Sequence, residues 1–216
     1  YVYGSHDRFD GEDFCMNDYV CWSAPIDDLG AWKKERVIYR SVQDPLNEDG
    51  TQHLFAPDVQ VGEDGRYYLF YCLHRSSTVS VAVCDEPAGE YQFYGHIHYA
   101  DGILYGQKQG DVFNFDPGVL KDDDGRIYLY TGLSYLKDAP MRKYLAGMFQ
   151  IDGSYCVELD KDMLTLKSEP VLTVPGEVLA EGTDFEGHGF FEASSPRKIN
   201  GRYYMIYSSV KSHDLC

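Results

Sequence analysis

Three stretches of this chain align with one another without gaps, and this repeat constrains the fold more than any other feature of the sequence. They cover residues 56–71, 116–131 and 192–207, and they read APDVQVGEDGRYYLFY, DPGVLKDDDGRIYLYT and EASSPRKINGRYYMIY. In each stretch a turn ending in Gly is followed by Arg and a tyrosine-rich apolar run. Asp-Gly and Asn-Gly are strong hairpin signals. Each repeat therefore predicts two antiparallel strands joined by a tight turn.

The remainder of the chain has the same β character. Short apolar runs such as DYVCWSA, VSVAVC and LAGMFQI are separated by Gly, Asp, Asn and Pro, and helical periodicity is nearly absent. Two further strands follow each hairpin, which predicts four-stranded blades of a β-propeller. The opening YVYGSH matches the second strand of such a hairpin. We predict an all-β chain of about three and a half blades, with residues 1–216 forming one propeller domain that is incomplete at both ends.

One position of the repeat varies in a way that suggests chemistry. Nine residues before the hairpin glycine stand Ala56, Asp116 and Glu192. The innermost strand of each propeller blade lines the central channel, so two carboxyl groups are expected to meet there and to carry out proton transfer. The alternative is structural, because an Asp before Pro often caps a turn and a Glu can accept backbone N–H bonds. Two acids in one register favour the functional interpretation.

Composition narrows the choice of partners. The net charge of −16 repels phosphate backbones, so nucleic acid is not expected as a partner, whereas a neutral sugar is compatible. The 19 Tyr residues suit both strands and sugar-binding clefts. No apolar run approaches the roughly 20 residues of a membrane helix, so no membrane association is expected. The six scattered cysteines favour buried reduced thiols in a cytoplasmic protein, although secretion is not excluded.

Three motifs in order carry a family resemblance. FAPDV (55–59), FDPGVLKDDDGRIYLYTG (115–132) and FEASSPRKINGRYYMIYSS (191–209) resemble glycoside hydrolase family 43, whose members are five-bladed β-propellers acting on α-L-arabinofuranosides and β-D-xylosides. The resemblance implies an inverting glycosidase that releases arabinofuranose or xylose from arabinan, arabinoxylan or xylan fragments. It implies no required cofactor, although family members often bind a calcium ion on the propeller axis with a His from the last blade.

The resemblance also assigns roles to the two acids. Glu192 resembles the general acid, and Asp116 resembles the carboxylate that orients this acid and raises its pKa. The family's general base is an Asp on the first strand of blade 1. Because Tyr1 aligns with Tyr68, Tyr128 and Tyr204, that base is expected about a dozen residues upstream of Tyr1, outside this sequence. The chain by itself is then not expected to be a competent hydrolase.

Other candidates for the sugar site are less specific. Phe55 and Phe115 precede Ala56 and the first acid, so they either flank the sugar or belong to the core. His6 and His188 are candidate sugar ligands, against the commoner role of a surface or core histidine. No metal site is predicted within the chain, because DDDG at 122–125 is typical of a hairpin turn rather than a calcium loop.

Two competing functions fit the same pattern. A non-catalytic carbohydrate-binding propeller could keep the fold without the reaction, but such a protein has no need of an acid beside a second carboxylate. A fructan-acting propeller of the invertase type would carry Arg-Asp-Pro where this chain has FDP, and Glu-Cys where it has Glu-Ala. We therefore expect an enzyme, with the binding propeller as the alternative.

Overall fold

The structure, a computed structural model, describes residues 1–209 and arranges their strands in four antiparallel sheets. The first sheet comprises β1 (Val2–His6), β2 (Asn17–Ser23) and β3 (Lys33–Tyr39), and the second comprises β4 (Leu54–Val61), β5 (Tyr67–Leu73), β6 (Val79–Cys84) and β7 (Gln92–His96). The third comprises β8 (Gly118–Lys121), β9 (Ile127–Ser134), β10 (Asp152–Leu159) and β11 (Val171–Pro175), and the fourth comprises β12 (Phe190–Ile199) and β13 (Arg202–Ser209). Two short helices, α1 (Pro140–Leu145) and α2 (Glu177–Ala180), lie in connections.

Each sheet has the strand order of a propeller blade. Within every sheet the strands follow chain order, and the strands that open the last three sheets, β4, β8 and β12, contact one another in series. Three, four, four and two strands thus form parts of four successive blades. The prediction of an all-β propeller of about three and a half blades is confirmed.

The apolar core lies between neighbouring blades, and β5 shows why its sequence is continuously apolar. Tyr68 and Phe70 face a cluster shared with the third sheet, whereas Leu69 and Tyr71 face a cluster shared with the first sheet. Successive side chains of a strand point to opposite faces, so a strand between two blades is buried on both faces. Phe70 is fully buried, which contributes about 1.5–3 kcal/mol.

The hairpin turns of the three repeats differ, although their sequences align without gaps. Residues 62–66 and 122–126 connect the strands of the second and third sheets, whereas Asn200 and Gly201 alone connect β12 to β13. Both residues of this shorter turn have positive φ, 51° and 73°, as a two-residue type I′ turn requires. Tyr204 consequently pairs with Arg197, one residue away from the partner that the alignment implies.

A bulge in β12 reverses this shift. The register changes again between Glu192 and Ser195, and Glu192 pairs with Ser208, as the ungapped alignment requires. Ala193 within the bulge has φ 64°, a left-handed conformation that non-glycine residues seldom adopt. The bulge therefore returns Glu192 to the register of Asp116 in the preceding blade.

Several local expectations need correction or qualification. The run LAGMFQI is not a strand: its first residue ends α1, which begins with Pro at its first position, the next three residues form a turn, and Gln150 forms an isolated bridge with Val112. The predicted reduced thiols agree with the structure for the five cysteines it describes, which are free, and Cys216 lies outside the described residues. No helix within residues 1–209 combines the length and hydropathy needed to cross a bilayer.

Candidate active site

Asp116 and Glu192 meet in the structure, although 76 positions separate them in the sequence. Asp116 lies just before β8, and Glu192 lies in β12, the inner strand of the next blade. The backbone N–H of Ala193 donates a hydrogen bond of 3.1 Å to Oδ2 of Asp116. This contact couples the buried aspartate to the backbone that carries the glutamate.

The local backbone fixes the position of each acid. Asp116 has φ 46°. The preceding residue, Phe115, makes two hydrogen bonds with the side chain of Thr131. The Phe115 N–H donates to Oγ1 of Thr131 at 2.9 Å, and the Thr131 hydroxyl donates to the carbonyl oxygen of Phe115 at 3.0 Å. Gly118 then brings β8 against β12 so closely that a Cβ at this position would lie 2.2 Å from the carbonyl oxygen of Ser194. Only glycine allows this approach.

Glu192 lines an open cavity of about 530 Å³, and most of its other walls are apolar. The ring of Phe55 lies 5.6 Å from that of Phe115, and both rings are part of the wall. Aromatic faces beside a few polar groups are typical of small-ligand sites. The cavity is also lined by His74, Arg75, Ser76, Ser77, Phe113, Leu133, Tyr135, Met141, Tyr144, Leu145, Met148 and Phe149.

Asp116 lies behind this cavity rather than in it. It is only 6% exposed and lines a smaller cavity of about 160 Å³ together with Ala56 and the backbone around Ser194. Ala56, Asp116 and the strand of Glu192 therefore converge near one axis. Glu192 is therefore the acid that faces the larger cavity, and Asp116 is the acid buried beside the backbone of the same strand.

Burial governs the protonation of both acids. It raises the pKa of Asp116 to about 7, with a further contribution from the negative charge of Glu192, while the hydrogen bond from Ala193 acts in the opposite direction. Burial also raises the pKa of Glu192. The family resemblance implies that Asp116 raises the pKa of Glu192, whereas burial is the cause resolved at Glu192 and repulsion between the two carboxyls is resolved at Asp116. The two carboxyls titrate as a coupled pair that retains a proton near neutral pH.

A second aspartate ties three blades together beside the acids. Asp58 of β4 accepts a hydrogen bond of 2.9 Å from the N–H of Val119 in β8, and its Oδ1 lies 3.2 Å from the guanidinium of Arg197 in β12. Within the motif FAPDV, Phe55 and Ala56 were the candidate site residues, whereas Asp58 is the residue that links the inner strands of three blades.

The two candidate histidines lie outside the cavity. His6 is at the end of β1, and His188 is exposed in the segment before β12, where its carbonyl oxygen accepts a hydrogen bond from Tyr207. The cavity instead contains His74 and Tyr135, which sequence reasoning did not select. Both follow the second strand of a hairpin, β5 and β9, and this shared position was the available signal.

Asp58 offers no free carboxylate oxygen to the axial calcium ion that the family resemblance implies. Calcium takes six to eight oxygen ligands. The oxygens of Asp58 already accept backbone N–H groups and the Arg197 guanidinium, and this guanidinium would repel a cation. The turn at 122–125 is also not a metal loop, because Asp122 accepts hydrogen bonds from Lys198 and Tyr203.

Comparison with known proteins agrees with this architecture. A xylosidase/arabinosidase of Thermoclostridium stercorarium is 54% identical over 216 residues, which cover 100% of this chain and 43% of that protein. A xylosidase/arabinosidase of Bacteroides ovatus is 30% identical over 241 residues, covering 100% of this chain and 68% of that protein. Among solved structures, the GH43_1 enzyme from Xanthomonas citri complexed with xylotriose is 25% identical with a TM-score of 0.67, over 95% of this chain and 61% of that one.

The chain thus spans less than half the length of the first of these relatives. Residues 1–214 match the family model for glycosyl hydrolases family 43, and the chain belongs to that family.

Proposed function

We propose that the protein containing this chain is an inverting glycoside hydrolase that releases arabinofuranose or xylose from arabinan, arabinoxylan or xylan fragments. One observation carries the proposal: Glu192 opens into an aromatic-walled cavity while Asp116, from the neighbouring blade, is bound to the backbone directly after it. A binding propeller would not need this pair of acids with raised pKa values. The two relatives named xylosidase/arabinosidase support the choice of sugar.

In this mechanism Glu192 is the general acid. Its carboxyl group donates a proton to the glycosidic oxygen as the bond to the anomeric carbon breaks, and a water molecule attacks that carbon from the opposite face. Burial keeps Glu192 protonated at a higher pH than an exposed glutamate, which the acid role requires. Asp116 is a positioning residue, since it holds the backbone at Ala193 and does not line the cavity.

The water must be activated by a general base. Inverting enzymes place that base about 6.5–9.5 Å from the acid, which leaves room for the water. In this proposal the base lies outside the 216 residues, on the inner strand of the first blade. The sugar ring is bound in the cavity whose wall includes Phe55 and Phe115.

The test uses the whole protein to which this sequence belongs, with nitrophenyl arabinofuranoside and nitrophenyl xylopyranoside as substrates. Hydrolysis of either one supports the proposal and assigns the sugar. Glu192→Gln is expected to lower the rate on alkyl glycosides by about 10²–10⁴-fold, because the acid no longer protonates the leaving group. The loss on nitrophenyl glycosides should be much smaller, since nitrophenolate leaves without a proton.

Two results would count against this function. Equal loss on alkyl and aryl glycosides would refute the acid role of Glu192. Binding of arabinose or xylose oligosaccharides without any turnover would favour the non-catalytic propeller instead. His188→Ala is a suitable control, because its side chain lies outside the cavity and its loss should leave both rates unchanged.

A further inference from the structure

A second cluster of polar side chains lies beside the cavity and takes no part in the proposed reaction. It consists of Asp13, from the loop between β1 and β2, His53, which directly precedes β4, and His74, which directly follows β5. The two histidines are brought together by the β4–β5 pairing, in which the N–H of His74 donates to the carbonyl oxygen of His53 at 2.9 Å. Their rings are 5.4 Å apart.

The distances in this cluster are longer than hydrogen bonds. Oδ2 of Asp13 lies 3.5 Å from Nδ1 of His53 and 3.8 Å from Nδ1 of His74, and one ligand atom from each residue falls within 4.8 Å of the others. Two ligands bound about 2.0–2.1 Å from one tetrahedral ion are about 3.3 Å apart. The cluster is therefore close to the spacing of ligands that share an ion.

One nitrogen atom of the cluster is an unsatisfied buried polar atom. Nδ1 of His53 is buried and has no hydrogen-bond partner. A buried polar atom without a partner destabilises the fold. A cation between the three side chains would satisfy the buried nitrogen and both neighbours.

The donor set indicates the class of ion. Two imidazole nitrogens and one carboxylate suit zinc and related divalent transition metals, whereas calcium prefers oxygen ligands only. Three protein ligands leave at least one coordination position open. We propose that Asp13, His53 and His74 bind a divalent transition-metal ion of the zinc type at the rim of the cavity. This inference stands independently of the glycosidase proposal.

An ion at this site would link a loop of the first blade to the wall of the cavity. His74 lines the cavity with Glu192, and its ring packs edge-on against Phe55 at 5.5 Å. Asp13 belongs to segment 7–16, which has no regular secondary structure and is exposed except at Cys15 and Met16. The ion would fasten this segment to the β4–β5 hairpin beside the aromatic wall.

The test measures metal binding directly, by titrating chelator-treated, untagged protein with ZnCl2 in a calorimeter. We expect one Zn²⁺ per chain and an increase in Tm on addition of Zn²⁺. Asp13→Asn and His53→Gln should each weaken binding by more than the roughly 10–100-fold typical of changes around the ligands. Co²⁺ should give the visible absorption band of a low-coordinate site in wild type and lose it in both variants.

His98→Asn is the matched control, because His98 bonds to the carbonyl oxygen of Tyr99 and lies outside the cluster. This variant should bind Zn²⁺ like the wild type. The proposal is overturned if the wild type takes up no Zn²⁺, or if Asp13→Asn and His53→Gln bind it unchanged. In the first case the three residues form only a pair of histidine–aspartate contacts. In the second, Zn²⁺ binds elsewhere.

Discussion

Replacing Asp116 by Asn isolates the effect of its buried charge on stability. Asn keeps an oxygen that can accept the N–H of Ala193, and it is among the residues that best tolerate the left-handed backbone found here, φ 46°. The two side chains have nearly the same shape. The main difference between the proteins is therefore whether position 116 can ionise.

The sign of the effect follows from the direction of the pKa shift. Burial and the nearby Glu192 raise the pKa of Asp116 from 3.8 to about 7. Between these values the folded state holds a proton that the unfolded state has lost, so the free energy of unfolding falls as pH rises. The stabilisation from the protonated Asp116 carboxyl is complete at pH values below its pKa in the unfolded chain. It is lost as the pH rises through its pKa in the folded protein. A shift of about three units corresponds to about 4 kcal/mol.

The assay is urea denaturation of wild type and Asp116→Asn at a series of pH values from 5 to 8. About two units of the shift fall inside this range, so the stability of the variant relative to wild type should grow by about 3 kcal/mol from pH 5 to pH 8. Asp64→Asn is the control, because its hydrogen bond to Arg66 keeps the pKa of Asp64 at about 2, below the range. Its difference from wild type should stay flat.

A flat difference for Asp116→Asn as well would refute the reasoning. It would mean that Asp116 ionises in the folded protein as easily as in the unfolded chain. The raised pKa of Asp116 would then be excluded, whereas the rise at Glu192, which comes from its own burial, would be unaffected.

Two further substitutions test the packing that positions the site. Gly118→Ala should lower the free energy of unfolding by about 1–3 kcal/mol, because the new methyl group would overlap the carbonyl oxygen of Ser194 and push β8 away from β12. Tyr71→Phe should cost about 1–3 kcal/mol, because the Tyr71 hydroxyl donates a hydrogen bond of 2.6 Å to the fully buried Asp44. Urea denaturation at pH 7 measures both changes.

Each of these two changes has a control of the same kind. Gly147→Ala places a methyl group where no atom lies within 4 Å, so stability should hardly change. Tyr204→Phe removes a hydroxyl from a half-exposed side chain and should also be nearly neutral. If either control is as destabilising as its partner, the named contact is not the cause.

The repeat made the blades and the acid slot predictable, because strand period, turn residues and apolar runs are local signals. The convergence of Asp116 and Glu192 then followed from the propeller geometry. The metal-like cluster was not predicted, since His53 and His74 meet only through the β4–β5 pairing and Asp13 reaches them from a separate loop. Helix α1 was missed because one and a half turns are too short to show helical periodicity.

The compensation between the short turn and the bulge in β12 limits how this blade can be rebuilt. Alternate residues of a strand face opposite sides, so a slip of one position would exchange the side chains of the two faces. Grafting the longer loop of a neighbouring blade onto β12 and β13 would therefore turn the glutamate away from its aspartate. The short turn shifts the register of β12 by one residue and the bulge shifts it back, so an engineered blade would need both features exchanged together.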